Sequence, residues 1–87
     1  MISPVFCIRD KHAGFGTPFV DTNEYTAKRG FAMAVNNGGS SMMAFAPSDY
    51  DLYQVGTWNS ENAVFTACDS GVPVLICNGA TLVTEKD

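Results

Sequence analysis

The sequence predicts an α+β fold, with one mostly antiparallel sheet of about five strands and one helix packed on a face. Apolar runs of strand length, bounded by Gly, Pro, Asn and Asp, lie on both sides of one amphipathic helical segment. The predicted order is therefore β-β-α-β-β-β, and such elements pack as a helix layer on a sheet. A chain of 87 residues allows one domain, which we expect to span 1–87.

The central strand of this sheet is predicted at residues 52–58, after the turn signal of Pro47. Neither face of this strand is polar, so we expect it to be covered on both sides. Gly56 within it indicates a bulge or a close backbone approach. Strict alternation divides the strand into two faces, Leu52, Gln54, Gly56 and Trp58 against Tyr53, Val55 and Thr57.

Two strands are predicted before the helix, at residues 5–8 and 17–20, and they should form an antiparallel pair. Pro18 cannot donate a ladder hydrogen bond, which places the second strand at an edge. Two further strands are predicted at 63–68 and 72–77. Asn78-Gly79 is typical of a type I′ turn, so we expect residues 72–84 to form a hairpin.

One helix is predicted to begin at Asp21, because Asp at the N-cap with Glu24 three residues later is a capping-box pattern. Gly30 within it suggests a close helix–sheet contact. The sequence Asn36-Asn37-Gly38-Gly39 should end the helix. One apolar stripe runs along it, formed by Ala27, Phe31, Ala34 and Val35.

Composition limits the classes of partner. The net charge is −4 with only five basic residues, and DNA-backbone binding needs clustered Lys and Arg, so a strong autonomous DNA binder is disfavoured. No apolar run is long enough for a membrane span, and the N-terminus lacks a secretory signal pattern, so we expect a cytoplasmic protein. An odd count of three cysteines predicts reduced, buried thiols.

No residue pattern predicts an enzyme or a cofactor. Cys7, Asp10 and His12 lack the spacing that would orient a thiolate and its base along a strand. A zinc site of three cysteines and His12 lacks the close ligand spacing of such sites. The aromatic residues Tyr50, Tyr53, Trp58 and Phe65 could stack single-stranded bases or pack within the sheet.

Two sets of residues are candidates for binding. A nucleic-acid surface would use Lys11, Lys28 and Arg29 together with Tyr53 and Trp58. A protein interface or a homo-oligomer would use Met42, Met43 and Phe45, or an open strand edge.

A series of motifs follows in a distinctive order, and its most specific part is Asp49-Tyr50-Asp51-Leu52-Tyr53-Gln54-Val55-Gly56. Upstream of it lie Asp10-Lys11, Pro18-Phe19, Asn23, Ala27-Lys28-Arg29, Phe31 and Val35-Asn36. The pattern resembles the small non-structural protein of gokushovirus-like microviruses, which are single-stranded DNA phages. The resemblance covers roughly residues 5–59, and Arg9 departs from it where an aromatic residue is common.

The resemblance implies a protein outside the virion that acts in phage DNA synthesis in the host bacterial cytoplasm. It brings no catalytic residues. One reading is a non-enzymatic adaptor that regulates single-stranded genome synthesis by binding a phage or host replication protein. The alternative is a single-stranded DNA-binding protein, which the family context favours and the net charge of −4 disfavours.

Overall fold

The computed structural model describes residues 1–36 and 42–84. They form an antiparallel sheet of six strands with one main helix, which confirms the predicted α+β class. The strands are β1 (Ile2–Asp10), β2 (Gly14–Phe15), β3 (Phe19–Val20), β4 (Tyr50–Asn59), β5 (Val64–Ala67) and β6 (Val74–Asn78). The helices are α1 (Glu24–Asn36) and the short α2 (Met42–Phe45).

The long strands β1 and β4 pair along their whole length and form the centre of the sheet. The short strands β2 and β3 both pair with the outer side of β1, so the predicted β1–β3 pairing and the edge position beside Pro18 are confirmed. On the other side, β4 pairs with β5 near its end and with β6 near its start. The central position predicted for β4 is therefore confirmed. The prediction that β4 is covered on both sides is wrong, because α1 packs on only one face of the sheet.

A bulge interrupts the β1–β4 pairing at Val55. Val5 lies opposite Gly56 and Phe6 lies opposite Gln54, so Val55 has no partner on β1. The predicted strict alternation is wrong beyond this point, because the extra residue moves Gly56 and Trp58 to the face that carries Tyr53. The prediction for Gly56 is confirmed: a Cβ there would collide with the carbonyl oxygen of Thr66 and lie 2.7 Å from the Phe65 ring.

Helix α1 covers one face of the sheet. Ala27, Phe31 and Val35 are buried against Phe6 and Leu52, which confirms three of the four residues of the predicted apolar stripe, and Ala34 is half-buried. Gly30 is exposed, and a Cβ there would meet nothing within 4 Å. The predicted close contact at Gly30 is therefore wrong, because this residue lies on the solvent side of the helix.

The predicted capping box of Asp21 and Glu24 is also wrong, because the helix begins two residues later. The Asn23 side chain accepts from the Thr26 backbone N–H at 3.0 Å, and the Thr26 hydroxyl accepts from the Asn23 N–H at 3.2 Å. Asp21 supports this cap from outside by accepting a hydrogen bond from the Thr26 hydroxyl at 2.5 Å. The predicted helix stop at Asn37-Gly38-Gly39 lies outside the described residues.

The predicted C-terminal hairpin is wrong. Residues Gly79–Leu82 form a 3-10 turn after β6 and do not pair with it. Gly79 is buried, and a Cβ there would collide with the Pro47 carbonyl oxygen. The Asn78 side chain donates to Asp51 Oδ1 at 2.8 Å and accepts from the Ala80 N–H at 2.9 Å, so it caps this turn. Tertiary contacts with the Pro47 turn thus override the local preference of Asn-Gly.

Candidate functional site

The candidate site is an apolar groove on the face of the sheet opposite α1, which we call the open face. Its volume is about 500 Å³. Val5 and Cys7 form its floor and are buried, whereas the aromatic residues around them are partly accessible. The groove is lined by Val5, Cys7, Phe15, Pro18, Phe19, Val20, Val55, Trp58, Phe65 and Pro73.

One end of the open face carries an aromatic pair beside a cation. The rings of Phe15 and Tyr53 meet edge-to-face, with centroids 5.1 Å apart and planes at 69°. The Arg9 guanidinium lies 5.7 Å from the centroid of the Phe15 ring. Strand pairing causes this arrangement, because Phe15 lies opposite Arg9 and Tyr53 lies opposite Cys7.

The other end carries Trp58 and Phe65, which are direct cross-strand partners on β4 and β5. Cross-strand partners project to the same side of a sheet, so both rings border the groove. The Phe65 side chain stays 48% exposed. The missing Cβ of Gly56 makes room for this ring.

Cys7 places a thiol on the groove floor, and burial raises its pKa. Cys77 lies on the helix-covered side opposite Leu52, and burial is also the main cause that raises its pKa. All three cysteines are free, as predicted, but only Cys7 is buried, whereas Cys68 and Cys77 are half-buried. Cys7 is therefore a neutral, apolar part of the groove at ordinary pH.

The structure divides the predicted nucleic-acid residues between two faces. Tyr53 and Trp58 share the open face, and the bulge at Val55 is what brings them together. Lys28 and Arg29 lie on α1, beyond the opposite face, and the Lys28 ammonium is 5.8 Å from the centroid of the Tyr25 ring. Lys11 is exposed at the turn after β1, where its backbone N–H donates to the Asp49 carbonyl.

The predicted interaction surface of Met42, Met43 and Phe45 is divided as well. Met42 and Phe45 are exposed, and Phe45 is the more exposed of the two at 82%. Met43 is half-buried against the core cluster of Phe6 and Phe31. Helix α2 therefore exposes two apolar side chains and packs the third against the core.

Among the other chemical groups, His12 is exposed and its Nε2 lies 3.4 Å from Asp49 Oδ2. Cys7 lies on the groove floor, whereas His12 lies in the turn after β1. No group of three or more His, Cys, Asp or Glu side chains within residues 1–36 and 42–84 is placed to hold a metal ion. No helix in this part of the chain is long and apolar enough to cross a bilayer.

Sequence reasoning missed two residues of the open face, Arg9 and Phe15, and did not locate the bulge at Val55. Arg9 and Phe15 come together only because β2 folds back on β1, and the intervening Gly14 has φ 99°. The bulge at Val55 has one sequence signal, the neighbouring Gly56. Tyr50, which the sequence analysis grouped with Tyr53, Trp58 and Phe65 as a candidate for base stacking, instead packs against the core on the helix-covered side.

The fold and this face define a small α+β protein with a hydrophobic core on one side of its sheet and an accessible groove lined by apolar and aromatic residues on the other. Residues 3–82 match the family model described as phage ORF5 protein, so the chain belongs to the phage ORF5 protein family. No curated protein and no solved structure matches the chain.

Proposed function

We propose that this phage protein is a non-enzymatic adaptor that regulates single-stranded genome synthesis by binding a phage or host replication protein. It would act in the host bacterial cytoplasm during infection by a gokushovirus-like microvirus. The family assignment supports a phage protein, and the open face supports binding as its mode of action.

The composition of the groove carries this proposal. All ten of its lining residues are uncharged. Seven have aliphatic or aromatic side chains, and the other three are Cys7, Pro18 and Pro73. Protein interfaces have such cores, depleted of charge and enriched in aromatic residues. A bound protein side chain would gain from hydrophobic burial here without any need for a basic surface.

The distribution of charge favours a protein partner over a nucleic acid. The chain carries −4, and among its described cations Lys11, Lys28 and Arg29 lie away from the groove. Only Arg9 lies beside it, near Phe15. Neutralisation of a phosphate backbone requires several cations along one surface. Association driven by the groove should therefore tolerate added salt, in contrast to binding driven by phosphate contacts.

The test is a phage that carries Phe15→Gln in this gene. Phe15 borders the groove and is exposed, so the change removes apolar surface without opening the core. We expect the ratio of single-stranded genome to duplex replicative form in infected cells to fall, with protein abundance unchanged. Met33→Gln is the matched control, since Met33 is exposed on α1. An unchanged ratio with Phe15→Gln, or an equal fall with Met33→Gln, would contradict the proposal.

A second candidate function is direct binding of single-stranded DNA. The specific observation that favours it is the Val55 bulge, which places Tyr53 and Trp58 on one face with Phe15 and Phe65. Each base stacked on an aromatic ring contributes about 1–3 kcal/mol. Arg9 beside Phe15 supplies one cation for a phosphate at this face.

This second function is tested by titrating the protein with a single-stranded oligonucleotide at low and moderate salt, with the fluorescence of Trp58 as the signal. If the open face binds, Arg9→Gln should reduce the slope of log affinity against log salt by about 0.7, the value for one phosphate contact. Lys28→Gln on α1 should leave that slope unchanged. The reverse result would place binding on the helix side, and a titration without any change of fluorescence or mass would reject DNA binding.

A further inference from the structure

Strand β5 has one edge without a partner strand. Within the described residues it pairs only with β4, through the partners Gly56–Ala67 to Asn59–Val64. All four of its residues are exposed. An exposed edge with unpaired backbone groups is a template for another strand.

The backbone groups on this edge belong to two residues. The Cys68 N–H donates to the Val55 carbonyl at 3.1 Å, so Cys68 directs its backbone groups towards β4. Because this direction alternates along an antiparallel strand, Thr66 and Val64 also face β4. Phe65 and Ala67 therefore direct their N–H and C=O groups outwards.

We propose that two copies of this chain associate through β5, as antiparallel strands related by a two-fold axis at Thr66. In this register Phe65 of each copy lies opposite Ala67 of the other. Each such pair exchanges two hydrogen bonds, since the N–H of each residue reaches the C=O of its partner. The register uses every outward backbone group of Phe65 and Ala67 in both copies.

A second copy fits this edge because the edge is self-complementary. Residues 62–68 carry no charge, so the net charge of −4 places no like charges in direct contact there. Glu61 would lie opposite Gly71, and Asp69 opposite Ala63. Positive φ angles at Ala63 (59°) and Ser70 (61°) end the extended segment on both sides of Thr66. An isologous interface requires this kind of symmetric patch.

The proposed register also places the two open faces on the same side of a continuous sheet. Residues opposite each other in antiparallel strands project to one side, and Phe65 and Ala67 are two positions apart. The Phe65 ring of each copy would then pack beside Ala67 of the other. Two aromatic grooves would join into one surface. The proposed dimer does not depend on whether that surface binds a protein or DNA.

The first experiment compares the masses of the wild-type protein, Ala67→Pro and Ala67→Ser by sedimentation equilibrium over a series of concentrations. Proline removes an outward N–H, and edge strands tolerate it where the N–H faces solvent. We expect a wild-type dimer, about a tenfold or greater rise in the dissociation constant for Ala67→Pro, and little change for Ala67→Ser. A monomeric wild type, or a dimer unaffected by Ala67→Pro, would overturn the proposal.

The second experiment tests the register and does not depend on the stability of the proline variant. Thr66 of one copy would lie opposite Thr66 of the other in a non-hydrogen-bonded pair. The two Cα atoms of such a pair are about 4.5 Å apart, which is within disulfide range. Thr66→Cys in a Cys68→Ser background should give a covalent dimer on mild oxidation, and Ala80→Cys in the same background should not. Failure to cross-link, or loss of the dimer with Phe45→Ser instead of Ala67→Pro, would assign the interface elsewhere.

Discussion

The two faces of the β1–β4 pair are both apolar, but only one of them is a closed core. On the helix-covered face, Phe6 and Leu52 have no exposed surface. On the open face, Phe15 and Phe65 each remain 48% exposed although they surround the buried Val5 and Cys7. The first face therefore forms the core, and the second leaves accessible apolar surface, to which we assign binding in our proposal.

The difference follows from how much chain is available to cover each face. Helix α1 has 13 residues and spans only one side of the sheet. A second layer on the open face would need another helix or sheet, which the described residues do not provide. The bulge at Val55 then adds Trp58 to the uncovered side, so the open face gains aromatic surface that strict alternation would have given to the core side.

The largest expected effect comes from a truncation in the closed core. Leu52→Ala removes a side chain with no exposed surface and should reduce the free energy of unfolding by about 2–5 kcal/mol. Phe15→Ala on the open face should cost less, because its ring already contacts solvent. Urea unfolding of both variants measures the contrast. Equal losses would mean that the open face is also a core.

A pair of glycine variants compares the stability effect of an added Cβ at a close contact between strands with its effect at an exposed helical position. Gly56→Ala would force the Thr66 carbonyl and the Phe65 ring to move, and should cost about 1–3 kcal/mol. Gly30→Ala meets nothing within 4 Å in an exposed helical position and should stabilise by about 0.5–1 kcal/mol. Thermal unfolding measures both changes, and a stable Gly56→Ala would show that β5 does not approach β4 so closely.

A pair of asparagine variants tests how β6 is fixed against β4. Asn78→Ala removes hydrogen bonds to Asp51 and to the Ser48 carbonyl, and leaves the buried Asp51 carboxylate without this partner. The expected loss is about 1–3 kcal/mol. The matched control is Asn62→Ala, which removes one exposed contact with the Val64 N–H and should cost less. Similar losses of unfolding free energy for the two variants would mean that the Asn78 side chain stabilises only a local turn and does not fix β6.

The sequence was sufficient for the features that depend on local pattern. The stripe of Ala27, Phe31 and Val35 and the central position of β4 follow from periodicity, and both are confirmed. The helix start was misplaced because Asp21 and Asn23 are both good caps, and the reciprocal bonds of Asn23 with Thr26 decide between them. The groove could not be predicted, since it depends on the bulge and on which face α1 covers.

The smallest expected effect compares one thiol from each face. Burial raises the pKa of both Cys7 and Cys77, so at a given pH each has less thiolate than a free thiol, and alkylation should be slow and accelerate with pH. The folded state favours the neutral thiols, so the free energy of unfolding should fall as pH rises above the ordinary thiol pKa, about 8.5.

Iodoacetamide labelling followed by peptide mass spectrometry resolves the two sites. The apolar dye ANS, bound in the groove, should protect Cys7 and leave Cys77 unprotected, because only Cys7 lines the groove. Equal protection would mean that the dye acts on the whole fold, and the distinction between a closed and an open face would then fail.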